Sequence, residues 1–211
     1  MYNPDEKIKY NIDLKTLSKL ITPLENLNNM IGVENIKHSI VNHIIYYLID
    51  PNNTGNMMHT VITGPPGVGK TLLGNNLGDI YFNLGILKPK KRKRYNNNKK
   101  YPFRIVKRSD LIGKYLGHTA KKTQDVIDSC DGGVMFIDEA YALGNSEGKD
   151  SFSKECIDTL NQNLTENKSN FLCIIAGYKD ALESCFFSVN EGLNRRFTFR
   201  YNIDKYTPLE L

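Results

Sequence analysis

The chain has 211 residues with 28 Lys and Arg against 23 Asp and Glu, a formal net charge of +5. Eight of the basic side chains lie in residues 88–101, KPKKRKRYNNNKKY, which carry no acid, so the rest of the chain is mildly acidic and a uniformly cationic nucleic-acid coat is excluded. The 40% hydrophobic content supports a core in one ordinary domain, whereas no apolar run is long enough to span a bilayer and residues 1–11 lack the apolar stretch of a signal peptide.

In chain order, the first thirty residues are polar and weakly periodic, and residues 1–26 read as a polar N-terminal segment. From Glu34 to Ile49 the positions Ile36, Ile40, Ile44, Ile45 and Leu48 recur at helical spacing. Pro51 and the Asn-Asn-Thr-Gly after it end that helix. A short apolar run from Met57 to Thr63 leads into a Gly/Pro-rich turn, and Gly69–Asn83 reads as a helix. After the basic, Asn-rich segment comes a strand-like Phe103–Val106, then a helix over Thr119–Cys130. Gly133–Ile137 and Phe171–Ala176 are unbroken apolar strands with a helix, Phe152–Leu164, between them. Phe197–Tyr201 alternates as a last, partly exposed strand. Strands alternating with helices predict an α/β fold with a parallel sheet covered on both faces. Cys130, Cys156, Cys173 and Cys185 show no CxxC spacing, so reduced buried thiols are expected rather than disulfides or a zinc site, which fits a reducing compartment.

Gly64-Pro65-Pro66-Gly67-Val68-Gly69-Lys70-Thr71 fits G-x-x-x-x-G-K-[ST], with an apolar strand before it and a helical pattern after it, and the nucleotide-binding stretch is read as running on through Leu72. Glycines let the loop turn its N–H groups inward around phosphate oxygens, and the helix start adds the positive end of its dipole. Lys70 then reaches the β- and γ-phosphates, and the Thr71 hydroxyl can bind Mg²⁺. Sixty-eight residues after Lys70, the strand Val134–Ile137 ends in Asp138 and Glu139. A carboxylate at the C-terminal end of a core parallel strand faces the ligand crevice. Asp138 is placed to hold Mg²⁺ and Glu139 to orient and deprotonate the attacking water. The pair predicts ATP hydrolysis rather than mere binding.

The Walker A and Asp-Glu pair resembles an AAA+ ATPase. Residues 108–120 (RSDLIGKYLGHTA), 132–143 (GGVMFIDEAYAL) and 176–180 (AGYKD) narrow the resemblance to the CbbX/CfxQ group, which includes red-type Rubisco activases and stage V sporulation protein K. It runs from about Leu27 to Leu211. It implies a P-loop three-layer αβα sandwich with a mostly parallel five-stranded sheet, an ATPase core over 27–205, and the start of a helical lid, missing or truncated, at 206–211. Met30-Ile31-Gly32 resembles the segment that cradles adenine, though an ordinary turn before a helix reads the same way. Tyr115-Leu116-Gly117 resembles the pore loop that grips a polypeptide client in a hexameric ring. Without the family pattern, a lid buried on the core is the preferred reading of Tyr115. Residues 190–197, NEGLNRRF, resemble the segment supplying the arginine finger, with Arg196 at the matching position and Arg195 as the spare. A pair of surface arginines before an edge strand is the alternative.

The resemblance has departures. Ala176-Gly177-Tyr178 stands where many relatives carry a water-positioning Asn, and Glu191 replaces a Pro. The lid expected to be missing leaves open a nucleotide-binding accessory module with little turnover, and the basic residues 88–101 leave open a DNA-associated loader. That segment reads as a solvated loop, a nucleic-acid contact aided by Tyr95 and Tyr101, or a nuclear import signal. The homo-oligomer and the protein client follow from the resemblance alone, and no membrane partner is expected. The Asn-, Lys- and Ile-rich usage points to an AT-rich genome such as that of a large virus or a protist.

Overall fold

Alternation with period two sorts the apolar strands into two half-cores. In the computed structural model, which describes residues 14–49, 58–89, 100–115, 117–144, 150–166, 171–190 and 192–208, strands β1 (Thr60–Thr63), β3 (Val134–Ile137) and β4 (Leu172–Gly177) are buried along their whole length. Ile62, Phe136 and Ile174 face helices α1 (Leu14–Asn28), α2 (Glu34–Ile49) and α3 (Lys70–Asn83). Val61, Met135, Ile137 and Ile175 face the short α4 (Arg108–Leu111), α5 (His118–Ser129) and α6 (Ser151–Glu166). The result is the three-layer αβα sandwich.

The sheet order is β2-β3-β4-β1-β5, with β2 at Phe103–Val106 and β5 at Phe199–Asn202, and every pairing is parallel. The edge strands β2 and β5 are only partly buried, as a sheet rim exposed to water demands. Because β4 lies between β1 and β3, the loops leaving β1 and β3 face each other across the C-terminal end of β4. Between β4 and β5 the chain forms a helical turn α7 (Lys179–Ala181), a π-helical stretch (Leu182–Phe186) and α8 (Gly192–Arg196).

The polar N-terminal stretch holds a helix that its weak periodicity did not predict. Helix α1 carries Pro23 in its interior and buries Leu20, Pro23 and Leu27. These side chains join the half-core built around α3. The three buried cysteines and the half-buried Cys185 are all free thiols, and burial pushes Cys130 and Cys156 up to about 11. No group of three or more potential metal-ligating side chains occurs among the described residues, and no helix among them is long and apolar enough to cross a membrane.

Residues 90–99 of the basic segment lie outside the described residues, as does Tyr95. Tyr101 does not serve as an exposed stacking surface. It is buried, stacks on Phe82 at 5.2 Å and donates a hydrogen bond to Asp79 Oδ1 at 2.8 Å.

One polar cluster ties the segment after β3 to the opposite helices. Asp150 caps α6: its Oδ1 accepts from the backbone N–H groups of Phe152 (3.0 Å) and Ser153 (3.3 Å). Its Oδ2 accepts from Arg108 Nη2 at 2.6 Å and Ser153 Oγ at 2.7 Å, while Arg108 Nη1 reaches the Ala142 carbonyl at 2.6 Å. The Ser153 hydroxyl first, and then Arg108, hold the Asp150 carboxyl down to about 2. A depressed carboxylate stabilises the fold above its unfolded value near 4 and ceases to do so as pH falls from there through 2. Asp150→Ala is expected to cost about 1–2 kcal/mol at neutral pH and to lose most of that cost only as pH reaches about 2, as read by urea unfolding at pH 7 and pH 2.

Candidate functional site

The phosphate loop begins where β1 ends and turns into α3. Gly67 (φ 80°) and Gly69 (φ 89°, the residue capping α3) take left-handed backbone angles that side-chain-bearing residues avoid. The N–H groups at the start of α3 thereby stay available beside the loop. Lys70 bends back over its own loop, with Nζ donating to the Gly64 carbonyl (3.0 Å) and the Pro65 carbonyl (2.6 Å). Burial lowers the Lys70 pKa, while the charges of Asp138 and Glu139 oppose that shift.

A cleft of about 400 Å³ is lined by Pro66, Gly67, Gly69, Lys70, Thr71, Leu72, Asp138, Glu139, Tyr141, Gly177 and Tyr178. The structure thus brings together residues that the sequence separates by 68 positions. Gly64 and Pro65 stand behind the cleft as acceptors for Lys70, and Val68 turns its side chain into the core. The fit to a triphosphate and a hard cation is good on donor chemistry: a loop of left-handed glycines at a helix start, one ammonium, a Thr71 hydroxyl and an Asp138 carboxylate.

Ile31 and Gly32 do not line the cleft. Ile31 is exposed, while Met30 beside it is buried, accepts a hydrogen bond from Asn76 Nδ2 at 3.3 Å and reaches the neighbourhood of Gly69. Gly32 (φ 66°) and Val33 (φ 58°) both adopt positive angles, which for a β-branched residue marks a constrained turn. From the other end of the chain, the Tyr206 hydroxyl donates to the Val68 carbonyl at 3.3 Å.

Tyr115 is 68% exposed and meets the His118 ring edge-on at 5.7 Å, which removes the buried-lid alternative. Gly117 (φ 79°) caps α5 just after it, and Leu116 lies outside the described residues. Arg196 does not line the cleft of its own chain. Its Nε donates to Thr165 Oγ1 at 2.6 Å and its Nη1 to the Gly192 carbonyl at 2.7 Å. Arg195 is exposed and makes no hydrogen bond or ion pair among the described residues.

Tyr141 is a cleft residue that the sequence reading gave no role, and Tyr178, noted there only where relatives carry a water-positioning Asn, lines the cleft with it. The 3₁₀ turn Ala140–Leu143 brings Tyr141 into the cleft that Glu139 also lines. Burial first, and then Glu139, hold the Tyr141 hydroxyl above its ordinary pKa. The Asp-Glu-Ala-Tyr spacing was the only sequence signal for it.

The layered parallel sheet with this loop and these paired acids defines a P-loop nucleoside triphosphatase fold. Residues 60–205 match the profile of the ATPase family associated with various cellular activities (AAA). The chain belongs to that family. Within it the chain is CbbX/CfxQ-like. It is 50% identical to a cfxQ-like protein of Acanthamoeba polyphaga mimivirus over 95% of this chain and 47% of the relative. It is 35% identical to the chloroplastic ribulose bisphosphate carboxylase/oxygenase activase of Cyanidioschyzon merolae over 86% of this chain and 60% of the relative. The chain therefore spans about half the length of the curated relatives it matches. Among solved structures, the FIGL-1 AAA domain in complex with ADP matches with a TM-score of 0.57 at 21% identity, over 86% of this chain and 56% of that one.

Proposed function

We propose that this chain hydrolyses ATP with Mg²⁺ in the cleft between the β1 loop and the end of β3, and that in a ring of copies it couples hydrolysis to remodelling a protein client. The observation that carries the reading is the convergence of Lys70, Thr71, Asp138 and Glu139 on one cleft. When bound, Mg²⁺ would neutralise charge on the phosphates and orient them. Thr71 and Asp138 are the oxygen donors for it. Lys70 gives up its contacts with Gly64 and Pro65 to meet phosphate oxygens, Ile31 and Gly32 border the base, and Glu139 takes the proton of the attacking water.

That Arg196 does not line its own cleft supports a role across a subunit boundary, with Arg195 beside it. Exposure of Tyr115 between Gly113 and Gly117 supports contact with an extended polypeptide. Lys70→Ala and Arg196→Ala should each be silent alone, and mixing them should restore turnover, because one supplies the finger and the other the intact cleft. Assembled mixtures without recovery would sink the shared site. Tyr115→Ala should keep basal turnover within about twofold, since it lies outside the cleft, but lose stimulation by an unfolded protein such as casein.

A further inference from the structure

The turn that carries Glu139 is gripped from the end of β2 on both sides of that residue. Before it, the Asp138 N–H donates to the carbonyl of Val106, the last residue of β2, at 3.1 Å. After it, Arg108, two residues beyond the strand, donates from Nη1 to the Ala142 carbonyl at 2.6 Å. Ala142 in turn donates its N–H to the Glu139 carbonyl at 2.8 Å, so the residue that closes the turn over Glu139 is the one Arg108 holds. On the inner side Ala140 and Leu143 are buried, and the Tyr141 ring lies so close to the end of β4 that a Cβ on Gly177 would come within 2.9 Å of its Cδ1. Ala142 is half-buried between them, and the guanidinium meets it from outside.

Glu139 needs a turn held in this way. It adopts a left-handed backbone conformation (φ 51°, ψ 45°) without being glycine, and such conformations persist where the surroundings over-determine them. The turn after it is four residues of 3₁₀ helix, whose hydrogen bonds are poorly aligned and fix its place weakly. Any shift of the turn swings the bond from which the Glu139 side chain starts, and a base misplaced by about 1 Å loses rate steeply. The same guanidinium has a second duty at the cap of α6. Its Nη2 meets Asp150 Oδ2 at 2.6 Å, and Nη1 also donates to Ser153 Oγ at 2.8 Å. A planar fork can serve the cap and the turn at once, which a single ammonium cannot.

We propose that Arg108 is a positioning residue for ATP hydrolysis, its hold on the Ala142 carbonyl fixing the turn that aims Glu139 at the attacking water. Arg108 also opens the stretch that reaches the exposed Tyr115 seven residues later. Lys107, Arg108 and Lys114 of that stretch line, with Asp138 and Glu139, a second cleft of about 730 Å³. The stem of the Tyr115 loop is therefore hydrogen-bonded to the turn of the base. The inference rests on the reading of Glu139 as that base.

Arg108→Lys keeps a cation for Asp150 and gives up the contact at Ala142. With Mg²⁺ and ATP as the probe, its kcat should fall about fivefold or more, with KM for ATP within about twofold. Ser153→Ala breaks the same cluster on the α6 side and leaves Arg108 on Ala142. It should lower the urea midpoint, as Arg108→Lys does, yet keep kcat within about twofold. In single-turnover measurements, adding Arg108→Lys to Glu139→Gln should cause no further loss, because the guanidinium acts through that carboxylate. An equal loss of kcat in Ser153→Ala ties the effect to stability and overturns the proposal, as does a full additive loss in the double variant. If Glu139→Gln loses turnover while Arg108→Lys keeps the wild-type kcat, the role of Arg108 falls and the base stands. If Glu139→Gln itself leaves turnover intact, the assignment of the base has failed and the role of Arg108 falls with it.

Discussion

Glu139→Gln is expected to lower ATP turnover about 100-fold or more while ATP affinity stays within a few-fold. The size follows from the role: general-base catalysis contributes on the order of 10²–10⁴ in rate. The amide keeps the shape of the carboxylate, and it cannot accept the proton that leaves the attacking water. The affinity stays because the groups proposed to hold the phosphates are others: the N–H groups of the glycine loop, Lys70 and Thr71. A steady-state assay paired with equilibrium binding of a fluorescent ATP analogue separates the two quantities. A variant that hydrolyses at the wild-type rate removes Glu139 from the mechanism. One that loses affinity by a large factor makes it a binding group.

The second large effect concerns stability and falls on a residue far from the cleft. His59 is fully buried just before β1. Its Nδ1 accepts from the Cys173 N–H at 3.1 Å, which leaves Nε2–H to donate to the Leu164 carbonyl at 3.2 Å. One neutral ring therefore satisfies a backbone donor at the start of β4 and an acceptor at the end of α6. Burial pulls its pKa down to about 4, against the opposing effect of the Leu164 hydrogen bond. Below pH 6.5 the unfolded chain takes up a proton that the fold refuses. This contribution is therefore complete above about pH 6.5 and is lost as pH falls toward 4, in total on the order of 3 kcal/mol.

His59→Leu removes both the pH dependence and the two hydrogen bonds. It should cost about 2–6 kcal/mol at pH 7, since each of the two stranded backbone groups costs about 1–3 kcal/mol. It should also flatten the fall in stability between pH 6.5 and 4.5. Urea midpoints of both proteins across that range are the measurement. His43, which burial also lowers, remains in both and cancels in the comparison. A variant that retains the wild-type slope would show that some other group titrates.

How much of this was legible in one dimension depends on how local each cause is. Helix α2 and strand β2 begin and end where the apolar spacing places them, because a regular face against a core leaves a regular imprint. The phosphate loop was legible because its backbone angles demand glycine at fixed positions. Helix α1 was not. Pro23 in its interior removes a ladder hydrogen bond and argues for a break, and only packing of Leu20 and Leu27 with the α3 side of the core outweighs it. The seat of Tyr141 was illegible for a different reason. It depends on the left-handed turn at Glu139 and on Gly177, 36 positions after Tyr141, and neither leaves a period in the sequence. The same holds for Arg196, whose partner Thr165 belongs to another helix.

The two flanks of the basic segment carry a consequence for how such a chain can vary. Pro89 lies against the backbone of Gly132, and the Pro102 carbonyl accepts from the Val134 N–H at 2.8 Å. Both anchors therefore sit where β3 enters the sheet, at the opposite rim from the cleft. A parallel sheet gives a chain two rims with separate duties. Catalytic spacing is set at one rim by strand order, while residues can be added, removed or recharged at the other without shifting Lys70 relative to Glu139. The eight charges of residues 88–101 are accordingly a feature that evolution, or a protein engineer, could rewrite as a cassette, leaving hydrolysis as the constant against which each new version is judged.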